Sequence, residues 1–148
     1  MTSLSMVRRV KARPEIVFEA LTTPEGIAQW WGPDAGPVLV AQVDARVGGS
    51  FRVRFRPLSD SIEYETRGEF LELVRPERLV MSWRWESGHV DPGESRVEIL
   101  LRAVPEGTEI TVNHELLHDQ TSSDRHAAGW AGALDKLDAA LSGNGSGP

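Results

Sequence analysis

The chain contains no cysteine in 148 residues. A disulfide scaffold, a thiolate zinc site and a cysteine nucleophile are thereby excluded. No apolar run approaches the roughly 18–20 residues that a membrane-spanning helix needs. Residues Met1 to Val10 hold no apolar stretch followed by a small-residue cleavage site, so no signal peptide is expected. Positive charge is not in excess: 16 Lys and Arg stand against 22 Asp and Glu, a formal net charge of −6. A nucleic-acid partner, which wants a basic face, is not expected. One stretch runs against that balance, because Arg52, Arg54 and Arg56 alternate with Phe51, Val53 and Phe55. Such alternation ordinarily marks a half-buried strand with its arginines in solvent. There is no serine nucleophile elbow, no phosphate-binding loop and no HExxH pair, and Gly48-Gly49 is too short and lacks the following helix for a dinucleotide site. No cofactor and no metal are implied. The expectation from these absences is a cytoplasmic protein without a membrane span. Its length suits one domain able to bury its own core without a staple.

Aromatic residues are few, one Tyr and four Phe, except for five Trp. Each Trp buries about 150–250 Å², worth at most about 4–6 kcal/mol. They sit in three groups: Trp30-Trp31, Trp83 with Trp85, and Trp130. They either fill a core or line a cavity, and the function turns on which.

The pattern predicts a short strand over Val7 to Ala12. A helix then starts at Pro14 and is apolar at Ile16, Val17, Ala20 and Leu21. Thr23-Pro24-Glu25 starts a second short helix that runs to about Trp30, and Gly32-Pro33 stops it. Strands are expected over Val38 to Val43, around Phe51 to Phe55 after a turn or bulge at Gly48-Gly49, and over Ile62 to Leu73. Arg75-Pro76-Glu77 is a turn, and the next strand carries Leu79, Met81, Trp83 and Trp85 on one face. After a loop from Glu86 to Glu94, Val97, Ile99 and Leu101 mark a strand. A hairpin turn at Pro105-Glu106-Gly107 then leads to Ile110, Val112 and His114. Thr121-Ser122-Ser123-Asp124 reads as a capping box. The helix it opens is apolar at Trp130, Leu134, Leu137 and Leu141, with Gly143 just past its end as a C-cap. Strands in series make an antiparallel sheet, and the last helix must bury its stripe on it, so the fold class is α+β. Residues 1–142 form the domain, and the Gly/Ser-rich 143–148 are expected to be a disordered tail.

Several stretches resemble a known family when taken in order. They are Arg-Pro-Glu-x-Val-Phe-x-Ala over Arg13 to Ala20 (x at Ile16 and Glu19), Pro24-Glu25, Trp30-Trp31-Gly32-Pro33 and Val47-Gly48-Gly49-Ser50-Phe51. Pro76-Glu77-Arg78-Leu79, Ser82-Trp83, Gly107-Thr108, His114, and Gly129-Trp130 before Leu134 and Leu137 continue the series. Their order and spacing resemble the activator-of-heat-shock-ATPase homologue family over roughly residues 5–142. That family lies in the helix-grip superfamily of START domains and birch-pollen-allergen-like proteins. It usually carries Ala or Ser where Arg13 precedes Pro14. The resemblance implies a curved antiparallel sheet of six or seven strands gripping the C-terminal helix, two short helices closing one end, and a cavity between sheet and helix. It does not imply one activity, because the superfamily holds ligand carriers, cyclases, oxygenase domains and co-chaperone domains. The family takes its name from a co-chaperone with a further N-terminal domain, for which this chain leaves no room.

Candidate site residues follow. Trp30 and Trp31 would point about 100° apart on a helix, so one is expected to pack and the other to sit at a rim, with Trp31 on the site. Trp83, Trp85, Phe51, Phe55, Trp130 and Leu134 are expected to wall a cavity, and Tyr64 and His114 to supply polar anchors. For each, plain core packing is the alternative. His114 is also the candidate acid/base, since an ordinary imidazole titrates near pH 6.5. His114, His118 and His126 converge on a metal only if the fold brings them together, and their spacing gives no sign of it. Glu72, on the predicted face of Tyr64 and Gly68, is a site candidate if inward and a solvent position if at the strand end. The leading expectation is a module that binds a small hydrophobic molecule, as a monomer or homodimer. A regulator of a heat-shock chaperone ATPase and a cyclase- or hydrolase-like enzyme are the rivals.

Overall fold

The computed structural model describes residues 2–59, 61–86 and 93–146, the side chains of 143–146 excepted. Strand β1 (Thr2–Val10) leads into α1 (Pro14–Thr22) and α2 (Pro24–Trp30). Then come β2 (Val38–Val43), β3 (Ser50–Phe55), β4 (Tyr64–Val74), β5 (Arg78–Trp85), β6 (Glu94–Val104), β7 (Gly107–Leu117) and α3 (Gln120–Ser146). The strands form one seven-stranded sheet in the order β1-β7-β6-β5-β4-β3-β2, every pairing antiparallel. β2 to β7 make a meander because each turn between them is short, and β1 returns to close the far edge against β7. The two short helices and α3 lie on its inner face. This is the α+β helix-grip arrangement expected from the sequence.

Local chemistry explains most boundaries. Pro14 and Pro24 sit in the first turns of α1 and α2, where a missing N–H costs nothing. Thr23 Oγ1 accepts from Gly26 N at 3.1 Å, the N-cap expected of it. Pro105-Glu106 makes the turn between β6 and β7. β1 starts at Thr2 rather than Val7 because β7 offers partners as far as Leu117.

Two boundaries of α3 differ from the expectation. Its N-cap is Asp119, not Thr121: Asp119 Oδ1 accepts from Ser122 N at 2.8 Å. A carboxylate satisfies an orphan N–H at least as well as a hydroxyl does and suits the helix dipole better. Gly143 does not end the helix, which runs to Ser146, since glycine weakens a helix by about 1 kcal/mol without blocking it. Replacing Asp119 with Ala should cost about 1 kcal/mol in urea unfolding, and Thr121→Ala should cost much less. Of the loop expected over Glu86 to Glu94, residues 87–92 lie outside the described residues.

The inner face carries Phe51, Val53, Phe55, Phe70, Leu79, Met81, Trp83, Val97, Ile99, Leu101, Ile110 and Val112, all buried. Against them α3 lays Trp130, Ala133, Leu134, Leu137 and Leu141, on one stripe as its periodicity predicts. Gly68 lets this layer close. A Cβ there would meet the Ser82 carbonyl and stand 2.5 Å from the Phe51 ring, so only glycine fits beneath that phenyl.

The arginines of β3 do face outward, where they are paired. Glu65, with a side chain 7% exposed, is 3.0 Å from Arg52, 3.2 Å from Arg54 and 2.6 Å from Arg67. Burial alone would raise its carboxyl, but hydrogen bonds from Arg67 and Arg52 outweigh this and hold it below the usual range. Glu72 also points outward. An irregularity in the β4–β5 register between Phe70 and Glu72 reverses the alternation, and Glu72 meets Arg78.

Candidate functional site

A cavity of about 490 Å³ opens between the sheet and α3, at the end covered by α2. α2 and the loop after it supply Trp30, Trp31, Gly32, Pro33 and Asp34. The strands supply Phe55, Tyr64, Trp83 and Trp85, and the β3–β4 loop supplies Pro57 and Ser59. α3 contributes Arg125, His126, Ala128, Gly129, Trp130 and Ala133. Exposed Ser59, Arg125 and Ala128 mark the mouth.

All five tryptophans reach this wall. Trp31 stacks on Trp83 at 5.0 Å between centroids, and Trp30 on Trp130 at 6.2 Å. Trp83 meets Trp85 edge-on at 5.8 Å, and Phe55 stacks on Tyr64 at 5.7 Å. Trp30 and Trp31 are both buried, 2% and 4% exposed, so neither is left at a rim. The two side chains do not diverge by the 100° of a helix because Trp31 has left it: it is the C-cap of α2, with φ −65° and ψ 140°. Its extended backbone swings the second indole back toward the sheet.

Six of the nine expected residues line the cavity: Trp31, Phe55, Tyr64, Trp83, Trp85 and Trp130. Phe51, His114 and Leu134 do not. Phe51 lies deeper, against Trp31, Phe70 and Trp83, and Leu134 is 1% exposed in the α3 stripe.

His114 is wholly buried behind the wall. Its Nδ1 accepts from Trp130 Nε1 at 3.1 Å, which places the proton on Nε2. Nε2–H then donates to Ser95 Oγ at 2.8 Å, and Ser95 donates to the Trp83 carbonyl at 3.3 Å. Burial first, and then His126, push the imidazole down to about 3. His114 is therefore neutral at physiological pH, with both nitrogens engaged inside the protein. It braces two cavity indoles and does not reach the space where a guest would sit. His126 repeats the motif on the wall itself: Nε2 accepts from Trp85 Nε1 at 3.1 Å, and Nδ1–H donates to Ser122 O at 2.8 Å. The two imidazoles are 4.8 Å apart. His118 stands away, exposed, 3.9 Å from Asp119. Among the described residues no three His, Asp or Glu side chains gather as a metal site would require.

Asp34 ties the mouth together. Its carboxylate accepts from Gly36 N, Leu58 N and Ser59 N at 2.9, 2.9 and 3.1 Å, joining the α2–β2 and β3–β4 loops. Burial works to raise this carboxyl, but those N–H groups and Lys136 lower it further. Lys136 of α3 donates to the Trp31 and Asp34 carbonyls at 2.8 and 2.6 Å, closing the C-terminal end of α2. Asp34→Ala should cost about 2 kcal/mol in denaturant unfolding and widen the mouth, seen as faster hydrogen exchange at Leu58 and Ser59.

The sequence carried signals for the residues it left out. Asp34-Ala35-Gly36 is an Asx-turn pattern. His126 lies four residues before Trp130, on the same helical stripe.

No protein of curated function matches the chain. A family model described as "Activator of Hsp90 ATPase homolog 1-like protein" matches residues 11–142. A crystal structure of a protein from Chromobacterium violaceum is 27% identical, covers 95% of this chain and 96% of its own, and superposes with a TM-score of 0.86. The AHSA1 protein of Silicibacter pomeroyi is 26% identical, with 95% and 97% covered and a TM-score of 0.82. An AHSA1-like protein of Aeromonas hydrophila, solved in solution, is 23% identical, with 97% and 94% covered and a TM-score of 0.78, and shares the fold. With a family model spanning nearly its whole described length, the chain belongs to the Activator of Hsp90 ATPase homolog 1-like family.

Proposed function

We propose that this single-domain protein binds a small, mostly apolar molecule in the cavity between its sheet and α3. The observation that carries this reading is a hollow of about 490 Å³ walled by five indoles, a phenyl and a phenol in an otherwise closed core. Packing those rings together would have removed more apolar surface from water and gained dispersion contacts. The volume falls within the usual range of about 300–1,000 Å³ for small-molecule sites.

The wall is also held in place. Three indole N–H groups are committed within the protein, Trp30 to the Ala20 carbonyl, Trp85 to His126 and Trp130 to His114. Rings fixed in this way need little ordering when a guest arrives, which favours binding. Titration with naphthalenemethanol, a neutral bicyclic probe, tests the reading. Saturable quenching of tryptophan fluorescence and matching calorimetric heat are expected, with one site and a Kd on the order of tens of micromolar. No saturable signal up to the probe's solubility would dispose of it.

A further inference from the structure

Two of the five indoles on the cavity wall keep an uncommitted N–H, and they are the two that stack on each other. Trp30, Trp85 and Trp130 donate to the Ala20 carbonyl, His126 and His114. Trp31 and Trp83 lie 5.0 Å apart with 14° between their planes. Among the described residues Trp31 is hydrogen-bonded through its main chain, to Ile27 and Lys136, and not through its ring. Trp83 Nε1 is closed to water and, among the described residues, meets no acceptor. Its side chain belongs to a residue only 6% exposed, yet it lines the hollow.

Buried N–H groups are nearly always paired, and an orphaned one carries an uncompensated desolvation cost. Trp85 and Trp130 show how this fold otherwise meets that cost, since each indole faces an imidazole that accepts from it. Trp83 is not served in this way. The accepting nitrogens of His126 and His114 are already taken, and Trp83 meets the His114 ring edge-on at 5.2 Å without a hydrogen bond.

Resting on the cavity reading above, we propose that the guest supplies the missing acceptor: it is a flat, neutral carbonyl compound whose oxygen accepts from Trp83 Nε1–H. Trp83 is then the residue that sets specificity. The flat body suits the rings that hold it, and an ion seated among those uncharged rings would lose its water without compensation. A hydroxyl or amine on the guest would bring donors of its own, and an indole offers no acceptor for them. A carbonyl brings none. The nitrogen is covered in the empty protein, so the oxygen reaches it with a side-chain adjustment of the kind common when partners bind.

Two probes of one shape test this: acetonaphthone and isopropenylnaphthalene, substituted at the same ring position and differing by a carbonyl oxygen in place of a methylene. Trp83→Phe keeps an aromatic ring and removes the N–H. It should weaken the ketone about fivefold more than the olefin. The wild-type chain gives a readout that does not depend on how the variant folds. At saturation its Trp83 indole proton should lie farther downfield with the ketone than with the olefin, because the two naphthalene rings shift it alike. Equal weakening of both probes in Trp83→Phe, or one bound shift for both, would overturn the carbonyl assignment, while saturable binding would leave the cavity reading intact. Failure of both probes to bind would remove both readings.

Discussion

Replacing His114 with alanine is expected to destabilise the protein by about 3–5 kcal/mol. The cost has two sources. A wholly buried ring is removed from between Trp83 and Trp130, which it meets at centroid distances of 5.2 and 6.3 Å. The Trp130 indole N–H then loses its acceptor in a place water does not reach, which adds the penalty of an unsatisfied buried donor. His114→Asn keeps an acceptor and a donor in a smaller side chain and should recover part of that loss.

The same residue makes stability fall with acid. The folded protein holds His114 near 3, whereas in the unfolded chain it titrates near 6.5. Protons therefore bind the unfolded chain first. The contribution is fully present above pH 6.5 and is lost as the pH falls toward 3. Its upper bound is about 4–5 kcal/mol. Glu65 and Glu98, both held below the usual carboxylate range, add their own loss at low pH. The difference between wild type and His114→Asn isolates the histidine. Urea unfolding from pH 7 to 4 should show a steeper decline for wild type, and parallel declines would contradict the assignment.

Filling the cavity should abolish binding without harming the fold. Gly129 lies on the wall, and a Cβ built there has no atom within 4 Å outside its own helix neighbourhood. Gly129→Ala should stabilise α3 by about 0.5–1 kcal/mol, the ordinary gain over glycine inside a helix. Gly129→Phe places a ring in the hollow instead. Its Kd for naphthalenemethanol should rise at least about thirtyfold, with a melting temperature no lower than wild type. Gly132, one turn along, does not offer the same route, because a Cβ there collides with the Pro33 carbonyl. Unchanged affinity in Gly129→Phe would place the probe elsewhere.

The fold was largely legible because its signals are local. Alternation from Phe51 to Phe55, the paired Pro starts at Pro14 and Pro24, and the 4-3-4 spacing from Trp130 to Leu141 each report one element's buried face. The site was legible only in part because depth is not periodic. Phe51 and Phe55 share a face of β3, yet Phe51 is packed against Phe70 and Trp83 while Phe55 lies at the cavity. Nothing in their spacing distinguishes them. His114 was singled out as an inward histidine, which it is, but its partners Trp130 and Ser95 are 16 and 19 residues away. Only the register between β6 and β7 and the seat of α3 bring them together. Asp34 and Arg125 were missed for a similar reason, since a mouth is made by loops and helix turns from distant parts of the chain.

The most direct measurement is a titration of the wild-type chain with naphthalenemethanol, followed through its five indole N–H resonances. If the hollow takes the guest, the signals of Trp31, Trp83 and Trp85 move together and saturate at one equivalent per site. If those signals stay still while the probe is raised to its solubility limit, the space between sheet and helix is not a binding site.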